Sequence, residues 1–130
     1  MSAAYVDSSY LLAILLGEPR ARSLRNSLER FQDILSGDLL VAEVLSASVR
    51  EGVPIDGVIA ALQDISLILP GRSLQPEMRE ILRQGRLRGA DLWHLACAMF
   101  VAGDRRPEVP FLSRDEAQRR IANRLGFPTP

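Results

Sequence analysis

Ala3-Ala4-Tyr5-Val6-Asp7-Ser8-Ser9-Tyr10 decides how the chain is read: four apolar residues stop at a carboxylate and two serines, and a second apolar run, Tyr10 to Leu16, continues to Gly17. A short apolar run that ends abruptly reads as a strand, and the run beyond it as a helix. The unit is strand, turn, helix, and the same alternation recurs outward from it. A helix is expected over Ala21 to Gln32, with Leu24, Leu28 and Phe31 on one face and its entry marked by Pro19. Ile34 to Ser36 reads as the second strand, and Leu39 to Glu51 as a helix that Gly52 and Pro54 terminate. Asp56 to Ile65 reads as helix, and Leu67-Ile68-Leu69, closed by Pro70-Gly71, as a buried strand. Pro76 opens a helix that ends near Gln84-Gly85. Arg86 and Arg88 then sit in a loop before a strongly apolar helix, Ala90 to Ala102. Gly103 to Pro107 is a polar loop, Val109 to Ser113 a strand, and Asp115 to Leu125 a helix stopped by Gly126. Short apolar strands alternating with helices predict a three-layer α/β/α sandwich around a central, mostly parallel sheet, spanning residues 1–130 as one domain.

Composition agrees with that class and narrows the chemistry. The chain has 130 residues, 47% apolar and 25% charged, as a globular domain with one core does. Sixteen basic residues balance sixteen acidic ones, so net charge neither favours nor excludes a polyanionic partner. Every basic residue is Arg, the side chain suited to bidentate phosphate contacts. Cys97 is the single cysteine, which rules out an intrachain disulfide framework and a thiolate zinc cluster. No stretch reads as a membrane span or a signal peptide, and a cytoplasmic setting is expected. Neither a P-loop nor a dinucleotide glycine pattern occurs.

Four acids stand out, each with a plain structural reading beside the functional one. In open α/β sheets ligands collect at the carboxyl ends of strands, where Asp7 and Asp115 both fall. Asp7 also suits a helix cap, although Ser8 and Ser9 could cap equally well. Asp115-Glu116-Ala117-Gln118 has capping-box spacing, with Gln118 reaching back. Glu43 shares a helical face with Ser46 and Arg50, so it reads either as a ligand or as a solvated glutamate. Asp91 is the least ordinary: it is the only formally charged residue from Ala90 through Ala102, on a face with Leu95, Ala98 and Ala102. Its alternative is a first-turn acid favoured by the helix dipole. His94, the sole histidine, reads as structural, and Trp93, Cys97, Met99 and Phe100 as core. Carboxylates without companion His or Cys ligands suit hard cations, Mg²⁺ or Mn²⁺, and phosphodiester chemistry.

These motifs, in order Tyr-Val-Asp7-Ser-Ser, Ala-Glu43-Val-Leu, Ala-Asp91-Leu-Trp-His94-Leu-Ala and Pro-Phe-Leu-Ser113-Arg-Asp115, resemble those of the PIN-domain family, especially the VapC-type toxins of type II toxin–antitoxin systems. The resemblance runs from Ala4 through Gly126. It implies an α/β/α sandwich and Mg²⁺ or Mn²⁺ held at Asp7, Glu43, Asp91 and Asp115, with Ser8, Ser9 and Ser113 in support. It also implies RNA cleavage, a homodimer, and a cognate antitoxin protein lying across the active-site groove. Arg86, Arg88 and Arg114 are the arginines expected on the RNA backbone. Ser113 stands where the family often has Thr, and many relatives are richer in Lys. Three alternatives stand beside this reading. One is an RNA-processing nuclease of the same family without an antitoxin, and another a non-catalytic α/β binding module. The third is a receiver-like phosphoacceptor domain, which would call for a lysine that this chain lacks.

Overall fold

The structure is a computed structural model that describes residues 2–130. In chain order the elements are β1 (Ala3–Val6), α1 (Ser8–Leu15), α2 (Ala21–Leu28), β2 (Asp33–Gly37), α3 (Leu39–Arg50) and α4 (Ile55–Leu62). There follow β3 (Ile65–Ile68), α5 (Gln75–Gln84), α6 (Gly89–Ala102), 3-10 turns over Gly103–Glu108, β4 (Phe111–Leu112) and α7 (Glu116–Arg124). The strands form one parallel sheet in the order β3-β2-β1-β4.

Alternation along the central strands sorts the core into two faces, because successive side chains of a strand point to opposite sides. Ala4 and Val6, with Leu112, pack against Tyr10, Ala13, Ile14 and Leu24 of α1 and α2. Tyr5 and Phe111 face the other way, into a cluster built from α5, α6 and α7 that includes Ile81, Leu95, Met99 and Ile121. The α1–α4 side is completed by Leu11, Leu40, Val44 and Val58. Helices therefore cover both faces, and the sequence-predicted sandwich is the fold observed.

Three local expectations are corrected. The apolar run at Leu67–Leu69 is not a buried strand: β3 lies at the sheet edge and ends at Ile68, leaving Leu67 and Leu69 41% and 71% exposed. An apolar run alone does not distinguish an edge from a centre, because burial depends on the neighbour that a strand lacks. The second helix ends at Leu28, not Gln32, because the chain turns there so that the amides of Gln32 and Asp33 can reach Ser2 O and start β2 beside β1. The last strand shrinks to Phe111–Leu112, which pair only with Tyr5 and Val6. The amide of Asp7 nevertheless reaches Leu112 O at 2.9 Å, so the two chains stay parallel past the last ladder pair.

The strand order creates the place where a site can form. From β1 the chain moves outward to β2 and β3, then returns to the opposite side of β1 to lay down β4. A crevice opens at the carboxyl edge where the order reverses, and residues just past β1 and β4 line it. The β2 end is pinned close by: at Gly37 a Cβ would fall 2.1 Å from Trp93 Cζ3 and 3.2 Å from Tyr5 Oη. Gly37→Ala is expected to destabilise the fold by about 1–3 kcal/mol and to shift the emission of Trp93. Urea unfolding followed by tryptophan fluorescence checks both, and an unchanged midpoint and spectrum would contradict the close contact.

Candidate active site

Asp7 occupies the first position beyond β1 and caps α1, which resolves its two readings into two oxygens. Oδ2 accepts from Ser9 N at 3.2 Å and Ser9 Oγ at 2.6 Å, and lies 3.3 Å from Ser113 Oγ. Oδ1 is buried and has no hydrogen-bond partner among the described residues. A buried carboxylate oxygen without a donor costs free energy unless something supplies positive charge. One oxygen does the capping, and the other is left over.

Asp115 enters the same crevice from β4. Its Oδ1 accepts from Gln118 N at 2.8 Å, the expected cap of α7. The reciprocal half of the capping box is absent. Asp115 N donates to Ser113 Oγ at 3.0 Å, and Gln118, fully buried, takes Ser113 Oγ–H on Oε1 at 2.7 Å while its Nε2 donates to Asp91 O at 3.1 Å. Gln118 thereby ties the start of α6 to the end of β4, a role that its spacing from Asp115 did not reveal. Ser9 Oγ accepts from Arg114 N at 3.0 Å and closes the β1–β4 junction. Ser8 lines the crevice, but among the described residues it makes no side-chain hydrogen bond to an acid.

Asp91 stands in the first turn of α6, its carboxylate 3.4 Å from the exposed Arg88 guanidinium. Burial raises its pKa above the ordinary carboxylate value, and the neighbouring charges of Asp7 and Asp115 raise it further, while Arg88 opposes the shift. Glu43, on α3, completes the lining of a concavity of about 380 Å³ shared by Asp7, Ser9, Arg88, Asp91 and Asp115. Of the arginines expected around it, Arg88 lines the concavity, Arg114 adjoins it through its backbone, and Arg86 lies on the exposed loop before α6.

His94 is the residue that local patterning undervalued. It is fully buried, as expected of a core histidine, yet its Nε2 lies 2.6 Å from Glu43 Oε1 and 4.0 Å from Asp7 Oδ1. Its Nδ1 lies 3.1 Å from Tyr5 Oη. Burial pushes the Tyr5 hydroxyl well above the usual phenol range, so it keeps its proton. The available clue was His94's place one turn after Asp91, on nearly the same helical face.

The donor set suits a hard divalent cation: four carboxylates, one with an unpartnered buried oxygen. As the side chains stand, no three candidate ligands among the described residues converge closely enough to hold an ion. Like charges hold apart when nothing offsets them, and Asp91 senses Asp7 and Asp115 without meeting them. A second groove, lined by Leu11, Ile14, Leu28 and Phe31 together with Arg25, Glu29, Gln32 and Asp64, lies on the α1–α4 side, away from this chemistry.

The architecture is an α/β/α sandwich with a carboxylate-lined crevice at the reversal of strand order. The PIN domain profile matches residues 4–124, nearly the whole sequence, and the chain belongs to the PIN domain family. PIN domains are as a class nucleases, hydrolases that act on nucleic acids and generally use divalent metals. No curated protein matches the chain. No helix among the described residues is long and apolar enough to cross a membrane.

The raised pKa of Asp91 has a definite sign for stability. Below the ordinary carboxylate range both folded and unfolded chains hold the proton, and the residue carries no penalty. As pH rises through the ordinary value and then the raised folded one, the unfolded chain ionises first and stability falls. Without added metal, Asp91→Asn is therefore expected to melt a few degrees above the parent at neutral pH, the gap closing below about pH 4. Loss of the exposed Arg88 contact subtracts little. Calorimetric Tm against pH in EDTA checks this, and a variant that melts lower than the parent at neutral pH would contradict the electrostatic account.

Proposed function

We propose that the chain is a Mg²⁺- or Mn²⁺-dependent endoribonuclease that hydrolyses RNA phosphodiester bonds, and that it is the toxin of a toxin–antitoxin pair. The observation that carries the metal-dependent reading is Asp7 Oδ1, buried and unpartnered in a concavity whose other acids are Glu43, Asp91 and Asp115. A cation beside that oxygen would supply the positive charge that no protein group gives it. Family membership supports the nuclease activity.

In this reading Asp7, Glu43, Asp91 and Asp115 hold the metal, with Ser9 fixing Asp7 through the oxygen that the metal does not need and Ser113 holding the Asp115 backbone and Gln118 beside it. Bound there, a divalent cation lowers the pKa of water and offsets charge developing on the scissile phosphate. Arg88 lines the concavity and contacts a phosphate beside the cut, adding affinity without base specificity, and Arg114, whose backbone adjoins the site, is the further arginine for the RNA backbone. Burial and the charges of Asp7 and Asp115 disfavour the ionised form of Asp91, and a bound cation would offset that penalty.

A homodimer and an antitoxin are part of the same proposal. Supporting the homodimer are Val49, Ile55 and Ile59, exposed at the α3–α4 end, and the apolar residues Leu11, Ile14, Leu28 and Phe31 of the groove on the α1–α4 side; the antitoxin rests on the family resemblance. Solvated apolar surface of this kind is the sort that a partner covers.

Asp7→Asn is the decisive variant, because Asn caps a helix as well as Asp does and so preserves the fold. With a mixed structured RNA pool in Mg²⁺ or Mn²⁺, the parent is expected to cut and EDTA to stop it. Asp7→Asn should lose at least the roughly 10–100-fold that disturbing even an outer partner of a metal ligand costs. Cleavage at the parental rate by Asp7→Asn would overturn the assignment. For the toxin role, expression is expected to arrest growth until a small protein encoded beside it is co-expressed, and unimpaired growth would remove that part alone.

A further inference from the structure

Glu43 reaches the concavity from α3, yet its carboxylate is held from the far side of the sheet. Gly37 N donates to Tyr5 Oη at 2.9 Å, which leaves the hydroxyl hydrogen free for His94 Nδ1 at 3.1 Å. With Nδ1 accepting, the ring hydrogen sits on Nε2 and points at Glu43 Oε1, 2.6 Å away. A protonated ring would place hydrogen on Nε2 as well, so the donor toward Glu43 is the same in both states. Tyr5 and His94 are fully buried, so the Tyr5–His94 link is shielded from water, while Glu43 at the end of the chain is partly exposed to the concavity. Asp7 Oδ1, at 4.0 Å from Nε2, is beyond hydrogen-bond reach and keeps its lone pairs.

The array links four elements. Gly37 ends β2, Tyr5 lies on β1 beside Asp7, His94 lies on α6 one turn after Asp91, and Glu43 lies on α3. A free glutamate side chain samples many rotamers, and ordering it costs free energy each time an ion binds. A rigid imidazole removes most of that freedom beforehand. It occupies one carboxylate oxygen and leaves the other for a ligand.

We propose that His94, itself fixed by Tyr5, is a positioning residue that presets Glu43 relative to Asp7 and Asp91 for divalent-cation binding. This rests on the metal-dependent reading above. The role is distinct from ligation, since His94 Nε2 is already committed to Glu43.

Binding of Mn²⁺ alone, measured by electron paramagnetic resonance and by titration calorimetry, tests it on the parent, Tyr5→Phe, His94→Gln, His94→Leu and Glu43→Gln. Tm in EDTA is recorded for each. His94→Leu and Tyr5→Phe are expected to weaken Mn²⁺ binding roughly 10–100-fold, as loss of a partner that orients a ligand does. His94→Gln, which retains an N–H near the Nε2 position, should recover part of the loss. Combining His94→Leu with Glu43→Gln should weaken binding no more than Glu43→Gln alone, because both act through one carboxylate. Tyr5→Phe loses a single hydroxyl and serves where His94→Leu does not fold. If the Tyr5 and His94 variants lower Tm but bind Mn²⁺ as the parent does, while Glu43→Gln binds it weakly, the proposal is overturned and the metal-dependent reading stands. If Glu43→Gln also binds Mn²⁺ like the parent, the proposal is overturned as well, whereas the metal-dependent reading falls only if the parent itself binds no Mn²⁺.

Discussion

Parallel pairing of β1 with β2 on one side and β4 on the other is the constraint from which the remaining architecture follows. It buries Ala4, Tyr5 and Val6 of β1, which are all apolar or aromatic and all excluded from water. It also brings Asp7 and Ser113 to the same sheet edge, across from each other where the strand order reverses. Separated by 106 positions in sequence, they are neighbours because two short strands run in one direction. The helices then complete the site. Helices α1 and α7 begin at the capping acids Asp7 and Asp115, while α6 and α3 bring Asp91 and Glu43 in from opposite faces.

The crevice works against the stability of the fold that builds it. An unpartnered buried oxygen on Asp7 and a carboxylate at Asp91 whose ionisation its neighbours oppose are both unfavourable without a counter-charge. The surrounding polar network is otherwise well satisfied: Ser9, Ser113 and Gln118 each use a side chain to hold an acid or the backbone beside it. Within the site the cost falls on Asp7 Oδ1 and the Asp91 carboxylate, both of them groups of the residues that line the concavity. Such localisation is what a binding site needs, since the free energy released on neutralising those oxygens is available to the ligand and to little else.

Much of this is legible in the amino-acid sequence. The strand-turn-helix unit at its head announces the alternation, and the two acids just past strand ends, Asp7 and Asp115, follow from the rule for open parallel sheets. Asp91 is legible because a charge on an apolar helix face requires a reason. Glu43 is not separable from a solvated glutamate, because what distinguishes it is a bond to His94, 51 residues away. His94 reads as core and is core, but its link to Tyr5, 89 residues back, gives it a second role that periodicity does not encode. Gln118, expected to reach back to its own helix start, instead bridges Ser113 and the Asp91 backbone. Local sequence rules count neighbours along one element, and these contacts join three or four. The edge position of β3 escapes for the same reason, since an apolar run records preference for burial but not whether a next strand exists to provide it.

Whether the leftover oxygen of Asp7 and the acids around it form a divalent-cation site is decided by diffraction from crystals soaked in Mn²⁺, with data collected on both sides of the manganese absorption edge. An anomalous peak is expected within coordination distance of Asp7 Oδ1, with Glu43 and Asp91 drawn inward toward it. A peak only at surface carboxylates elsewhere, or none at saturating Mn²⁺, would refute the site.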